Sequence, residues 1–197
     1  DKNGFPYDEP SVETRDAIIA KLCAEEKVVG LCQGLMEFGP RALGGRSIIA
    51  DARSAKMQSF LNLATKFRES FRPFAPIVLK EDAAEYFEVV RESPYMLVVD
   101  QLKKERCIAQ KVDPNTNLKD WVNQPRSDVP AITHVDYSAR IQTVDVERNP
   151  RLHSILTEFK KLTGYGILVN TSYNVRSEPI VCTPEDAYRC FMRTGID

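Results

Sequence analysis

Glu37-Phe38-Gly39-Pro40-Arg41-Ala42-Leu43-Gly44-Gly45-Arg46-Ser47 leads into the apolar run Ile48-Ile49-Ala50, and a second run, Val28-Val29-Gly30-Leu31-Cys32, leads up to it. Each run has the length and composition of a short buried strand, so the stretch reads as strand, loop, strand. Gly39, Gly44 and Gly45 can take positive φ and let backbone N–H groups approach a ligand, while Pro40 stiffens the turn. Arg41 and Arg46, five residues apart, each offer a planar fork of donors suited to phosphate or carboxylate oxygens. A plain connection whose arginines pair with Glu37 and Asp51 would have the same composition. The loop by itself leaves both readings open.

Upstream, residues 11–25 predict a helix with Ser11 as its cap and Ala17, Ile18, Leu22 and Cys23 on one stripe. Downstream, residues 54–65 predict a second helix, with Met57, Phe60, Leu61 and Ala64 on its buried face. Residues 77–79 and 96–99 read as strands and 81–87 as a short amphipathic helix. Residues 101–130, with Pro114, Asn115, Asn117, Asn123 and Pro125, read as a long surface connection. Residues 131–136 and 139–144 predict a hairpin turning at Tyr137-Ser138. A helix over 150–162, a strand over 166–169 and a helix from Thr183, with Pro184 at its first position, complete the pattern. Strands and helices interleave irregularly, so the expected class is α/β of an α+β-like kind: one domain over 1–197, with a mixed sheet flanked by helices.

Composition narrows the function classes. With 27 basic and 28 acidic residues, a formal net charge of −1 leaves no surface for tracking a nucleic acid backbone, so anion binding must be local. Arg41, Arg46, Arg53, Lys56, Lys66, Arg68 and Arg72 crowd into one segment, a concentration on the scale of a pocket. No apolar run reaches the ~18 residues of a membrane span. The five cysteines are odd in number and contain no C-x-x-C pair, which fits reduced thiols in a cytoplasmic protein, and with two histidines a structural zinc site is not expected. The start at Asp1, and an end at Thr194-Gly195-Ile196 where a strand would begin after a helix cap, suggest a piece of a longer polypeptide.

Two further stretches carry chemistry. In Lys66-Phe67-Arg68-Glu69-Ser70-Phe71-Arg72-Pro73-Phe74-Ala75-Pro76, three cations lie close enough to repel one another unless an anion compensates them. Phe71, Pro73, Phe74 and Pro76 would anchor the segment, which favours a pocket wall over a solvated patch neutralised by Glu69. At the exit of the apolar strand over 166–169, Asn170-Thr171-Ser172-Tyr173-Asn174 offers short amide and hydroxyl side chains where α/β sheets gather ligands, or else an Asx or Ser/Thr turn that satisfies its own backbone. His134 and Asp136 read as strand residues, and Glu178 before Pro179 as a turn. No G-x-x-x-x-G-K-[ST] phosphate loop or G-x-S-x-G nucleophile motif is present.

Together, EFGPRALGGRS (37–47), KFRESFRPFAP (66–76) and VNTSYN (169–174) resemble the C-terminal domain of the nodulation-factor, cephalosporin and aminoglycoside O-carbamoyltransferase family. The resemblance implies a YrdC-like open twisted sheet, similar to that of enzymes making threonylcarbamoyl adenylate for tRNA modification. It implies a transferase that takes carbamoyl phosphate and ATP with Mg²⁺ and forms carbamoyl adenylate for biosynthesis. An actin/hexokinase-like N-terminal domain, which holds the iron, would be its partner on the same polypeptide. Arg41, Arg46, Lys66 and Arg68 are implied as catalytic, and Arg72, Ser47, Asn170, Thr171, Ser172 and Asn174 as binding substrate or nucleotide, with no protein metal ligands. Tyr173 stands where many relatives are expected to carry phenylalanine. A homodimer is compatible with this picture, and nucleic acid and membrane are not expected partners. Two alternatives remain: a carbamoyl phosphate- or nucleotide-binding module that needs its partner for turnover, and a threonylcarbamoyl adenylate-forming relative.

Overall fold

A computed structural model describes residues 4, 6–88, 91–110 and 117–197. Six strands form one mixed sheet in the order β1-β2-β6-β3-β5-β4. They are β1 (Val29–Cys32), β2 (Arg46–Asp51), β3 (Ala75–Leu79), β4 (Val98–Gln101), β5 (Ser138–Val144) and β6 (Ile167–Ser172). Neighbours run antiparallel except β3 and β5, which are parallel. The mixed sheet flanked by helices is the class that the irregular interleaving predicts.

One face is covered by α1 (Val12–Ala24) and α5 (Pro150–Thr163), whose Ile19, Ala20, Leu152, Ile155, Leu156 and Phe159 pack on Ile49, Ile77 and Leu168. Asn149 caps α5 through Leu152 N, and Gly164 ends it with φ +81°. Against the other face lie α2 (Met57–Phe60), α3 (Ala83–Tyr86) and α6 (Pro184–Met192), the last opened by a Thr183–Asp186 capping box. A short helix, α4 (Leu118–Val122), and an isolated bridge between Cys107 and Ser127 give order to part of the segment expected to be a long connection; Pro114 and Asn115 lie outside the described residues.

Three expectations are corrected. Residues 131–136 form no strand: they begin inside a 3₁₀ turn (Pro130–Ile132), and β5 takes its antiparallel partner from β4. The bend at Tyr137 is present, with φ +64°, so a local turn was legible while the pairing it served was not. Arg46 and Ser47 belong to β2 rather than to the loop, and Asn170, Thr171 and Ser172 are the last residues of β6 rather than residues beyond it. Finally, the helix expected over 54–65 is α-helical only at α2 and continues as a π-helical turn (Leu61–Thr65). At the chain's end Ile196 is buried, and the Asp197 N–H donates to the Val28 carbonyl at 3.0 Å.

Candidate functional site

The π-helical turn sets up the site. Its wider hydrogen bond, from Lys66 N to Leu61 O at 2.9 Å, adds a residue to the last turn and ends it on Phe67, whose φ of +49° is uncommon for an aromatic residue. Lys66 is thereby turned inward and 95% buried, since its relative exposure is 5%, while Phe67 points to solvent. Asn62 then holds the following loop: its Nδ2 donates to Ser70 O and Arg72 O, and its Oδ1 accepts from Arg68 Nε at 2.5 Å. Arg68 also lies over the Phe74 ring, 4.8 Å from its centroid.

Two adjoining cavities open at this place and share Arg68, Arg72, Thr171 and Ser172 as walls. The larger, about 330 Å³, is completed by Arg41, Met96, Arg140 and Asn170 among others; the smaller, about 190 Å³, by Lys66, Asn174 and Arg176. Six cations therefore line the pair of cavities, and no aspartate or glutamate does. None of the six forms a salt bridge with a described residue. Elsewhere the protein pairs its charges, as in Asp51 with Arg53 and Asp82 with Lys160.

Crowding and burial are visible in the protonation equilibria. Burial, with the Arg68 charge second, pushes the Lys66 ammonium down to about 7. Its Nζ donates only to neutral oxygens, those of the Ser172 carbonyl and hydroxyl, the Asn174 carbonyl and the Asn174 side chain. Burial and then Arg72 push Arg68 down to about 10, against the opposing pull of Glu69. Arg140 is lowered by burial and by Arg41. An anion seated here would relieve all three.

The glycine-rich loop is put to another use. Glu37 Oε1 accepts from Leu43 N at 2.6 Å and Gly45 N at 2.7 Å, and Gly44 N donates to Ser47 Oγ at 2.9 Å. The loop's amides thus enclose its own carboxylate, in place of the external ligand expected for Gly44 and Gly45. A Cβ on Gly45 would lie 2.9 Å from Leu35 O and 3.2 Å from Glu37, which accounts for glycine at this position. Arg46 is buried in β2 and directs Nε to Cys182 O and Nη1 to the carbonyls of Gln33, Gly34 and Gly45. Neither Arg46 nor Ser47 lines the cavities; of the loop, Pro40, Arg41 and Ala42 reach the larger one, and Arg41 brings the charge.

Of the ten residues expected at the site, eight meet there: Arg41, Lys66, Arg68, Arg72, Asn170, Thr171, Ser172 and Asn174. Arg140 and Arg176 join them unforeseen. Arg140 had a signal, a lone charge between the buried Ala139 and Ile141 of β5; Arg176, in a polar turn, had none. Glu178 sits in a turn, its carbonyl accepting from Asn174 Nδ2, and lines a different cavity. Among the described residues no group of three or more His, Cys, Asp or Glu side chains could hold a metal ion. No described helix is long and apolar enough to cross a membrane.

Comparison with known proteins assigns the architecture around this cleft: residues 20–197 match the carbamoyltransferase C-terminus family. The chain belongs to that family. It is 56% identical over 192 residues to an uncharacterized protein of Synechocystis sp., covering 97% of this chain and 31% of that protein. Nodulation protein NolO of Bradyrhizobium diazoefficiens is 42% identical over 177 residues, 88% of this chain and 29% of its own length. The 3'-hydroxymethylcephem-O-carbamoyltransferase of Streptomyces clavuligerus is 36% identical over 179 residues, 91% of this chain and 30% of its own length. The chain thus spans under a third of each of these relatives. Among solved structures, full-length HypF in its phosphate- and nucleotide-bound form shares the fold, with a TM-score of 0.54 at 15% identity over 98% of this chain and 21% of HypF. This carbamoyltransferase domain therefore places eight of its expected residues around one cationic cleft.

Proposed function

We propose that the domain binds carbamoyl phosphate and ATP and forms carbamoyl adenylate, which a further domain transfers to an acceptor hydroxyl. The observation that carries this reading is the carboxylate-free lining of six cations, unpaired among the described residues. Such a lining suits ligands with several phosphoryl groups. Hydrolysis of carbamoyl phosphate gives carbamate and phosphate; a carbamate oxygen then attacks the α-phosphorus of ATP, and pyrophosphate leaves with the electrons of the broken P–O bond. Charge accumulates on phosphoryl oxygens throughout, so fixed cations stabilise the transition state without a protein nucleophile. In this reading Arg41, Lys66, Arg68, Arg72 and Arg140 hold the phosphoryl groups, Ser172 and Asn174 position Lys66, and Arg46 and Ser47 build the loop. Mg²⁺ would arrive with ATP and be held by its phosphates, because the lining offers no acidic cage.

The test is pyrophosphate release by the purified chain with ATP, Mg²⁺ and carbamoyl phosphate, each omitted in turn, with mass spectrometry for carbamoyl adenylate. Release that needs all three is expected. Binding without release would favour a module that requires its partner domain, a reading that the share of the relatives' length covered by this chain keeps in view. Threonine-dependent release would assign it to the threonylcarbamoyl class. Absence of both release and binding would remove the functional reading.

A further inference from the structure

β1 (Val29–Cys32) is an edge strand, and its pairing with β2 uses only half of its backbone. Gln33 N donates to Gly45 O, which continues the β1–β2 register by one step and identifies Val29, Leu31 and Gln33 as the residues that bond toward β2. By the alternation of an antiparallel ladder, Val28, Gly30 and Cys32 turn their N–H and C=O groups the other way. Those of Val28 are met: its carbonyl accepts from Asp197 N at 3.0 Å and its N–H donates to Asp197 Oδ2 at 3.0 Å, with Lys27 Nζ on Asp197 Oδ1 at 2.8 Å. Those of Gly30 and Cys32 face no partner strand among the described residues. Val-Gly-Leu-Cys also carries none of the charges or prolines that blunt an open edge, whereas β4, at the opposite edge, carries Asp100.

We propose that the outer edge of β1 is the docking place of a further strand of the same polypeptide, continuing from Asp197 and running parallel to β1. Direction selects this occupant. Asp197 stands beside Val28, at the start of β1, and the approach to that point is fixed by the buried Ile196 and by Gly195 N, which donates to Ala64 O at 3.0 Å. A segment leaving Asp197 therefore reaches Gly30 and Cys32 only by running with β1. Topology selects the same occupant. β1 and β6 each run antiparallel to β2 and so run parallel to each other. β6 is followed by α6, whose Ala187 and Cys190 pack in one core with Val28, Ile48 and Val169. Strand and helix are the first two members of a βαβ crossover, and the third pairs parallel in the same sheet. The outer edge of β1 is where the chain leaving α6 arrives. A second copy of the protein would have to share that edge with Asp197. The relatives, of which this chain spans under a third, have further chain from which such a strand can come. Since β1 runs directly into the loop that carries Arg41, pairing on both of its sides would steady the base of that loop.

The experiment measures amide hydrogen exchange, residue by residue by mass spectrometry, in the chain of residues 1–197 and in the natural polypeptide that continues past Asp197. The Gly30 and Cys32 N–H groups should exchange about tenfold or more slower in the longer polypeptide, while Val29 and Leu31, already bonded to β2, change by less than about threefold. A polypeptide extended only on the Asp1 side should leave Gly30 and Cys32 as fast as in residues 1–197. Equal exchange of these two amides with and without the continuation overturns the inference, as does a natural polypeptide that ends at Asp197. Protection supplied by the extension before Asp1 alone overturns it by assigning the edge to another domain. Protection within residues 1–197 that grows with protein concentration, together with a dimer in size-exclusion chromatography, overturns it by assigning the edge to a second copy.

Discussion

The stretches 37–47 and 66–76 look alike in the sequence, each rich in arginine or lysine and punctuated by proline, and the fold uses them in opposite ways. In the first, Glu37 supplies the anion, the loop's own amides surround it, and Arg46 is spent on four backbone carbonyls. In the second, Lys66, Arg68 and Arg72 converge on a cavity that no carboxylate lines. A cation is available to a ligand only where the fold has left it without a partner, and that is a property of the assembled protein.

Substitution can sharpen the contrast. Glu37→Ala should have the largest effect on stability, about 3 kcal/mol, because the Leu43 and Gly45 N–H groups lose their acceptor and the turn loses its centre; denaturant melts would measure it. Equal stability of the variant would break the comparison. Arg41→Ala and Lys66→Ala should each weaken pyrophosphate or ATP binding by roughly 1.5–3 kcal/mol. Arg41→Ala should leave the melting curve within about 0.5 kcal/mol of wild type, as expected for a side chain that anchors nothing. Unchanged affinity in both variants would return these residues to a structural role.

A pH effect follows from Lys66. Its folded value of about 7 lies below the ordinary 10.5, so between those limits the unfolded chain holds the proton and the folded one does not. Unfolding takes up a proton in that window, and stability rises with pH from 7 toward 10.5, reaching its full gain above it. Lys66→Met should flatten this rise in stability curves recorded across the window. Binding of a polyanion restores the ammonium, so affinity should fall as pH rises above 7, with proton uptake visible by calorimetry at pH 8 in two buffers of different ionisation enthalpy. The smallest effect is expected for Tyr173→Phe, about 1 kcal/mol of stability from the lost bond to Ala187 O, with ligand affinity unchanged.

Most of the site could be read from the chain, because three short stretches with unusual composition supplied eight of its residues. Arg140 was overlooked because the strand that carries it was paired in expectation with residues 131–136, when its partners are β3 and β4. Asn62, the clasp of the arginine loop, looked like an ordinary helix residue; only the π-helical turn gives its amide three partners across the bend.

The sequence by itself determined most of the element types, the local caps such as Ser11 and Thr183, and the gathering of positive charge near one segment, since all of these depend on neighbours a few residues apart. Tertiary structure alone decided which cations stay unpaired, why Lys66 is pushed down to about 7, and why Asn170 keeps one acceptor free. Burial and partner choice are set by residues distant in the chain, such as Ser172 for Lys66 and Gln142 for Asn170, and only the folded sheet brings them within a hydrogen bond's reach.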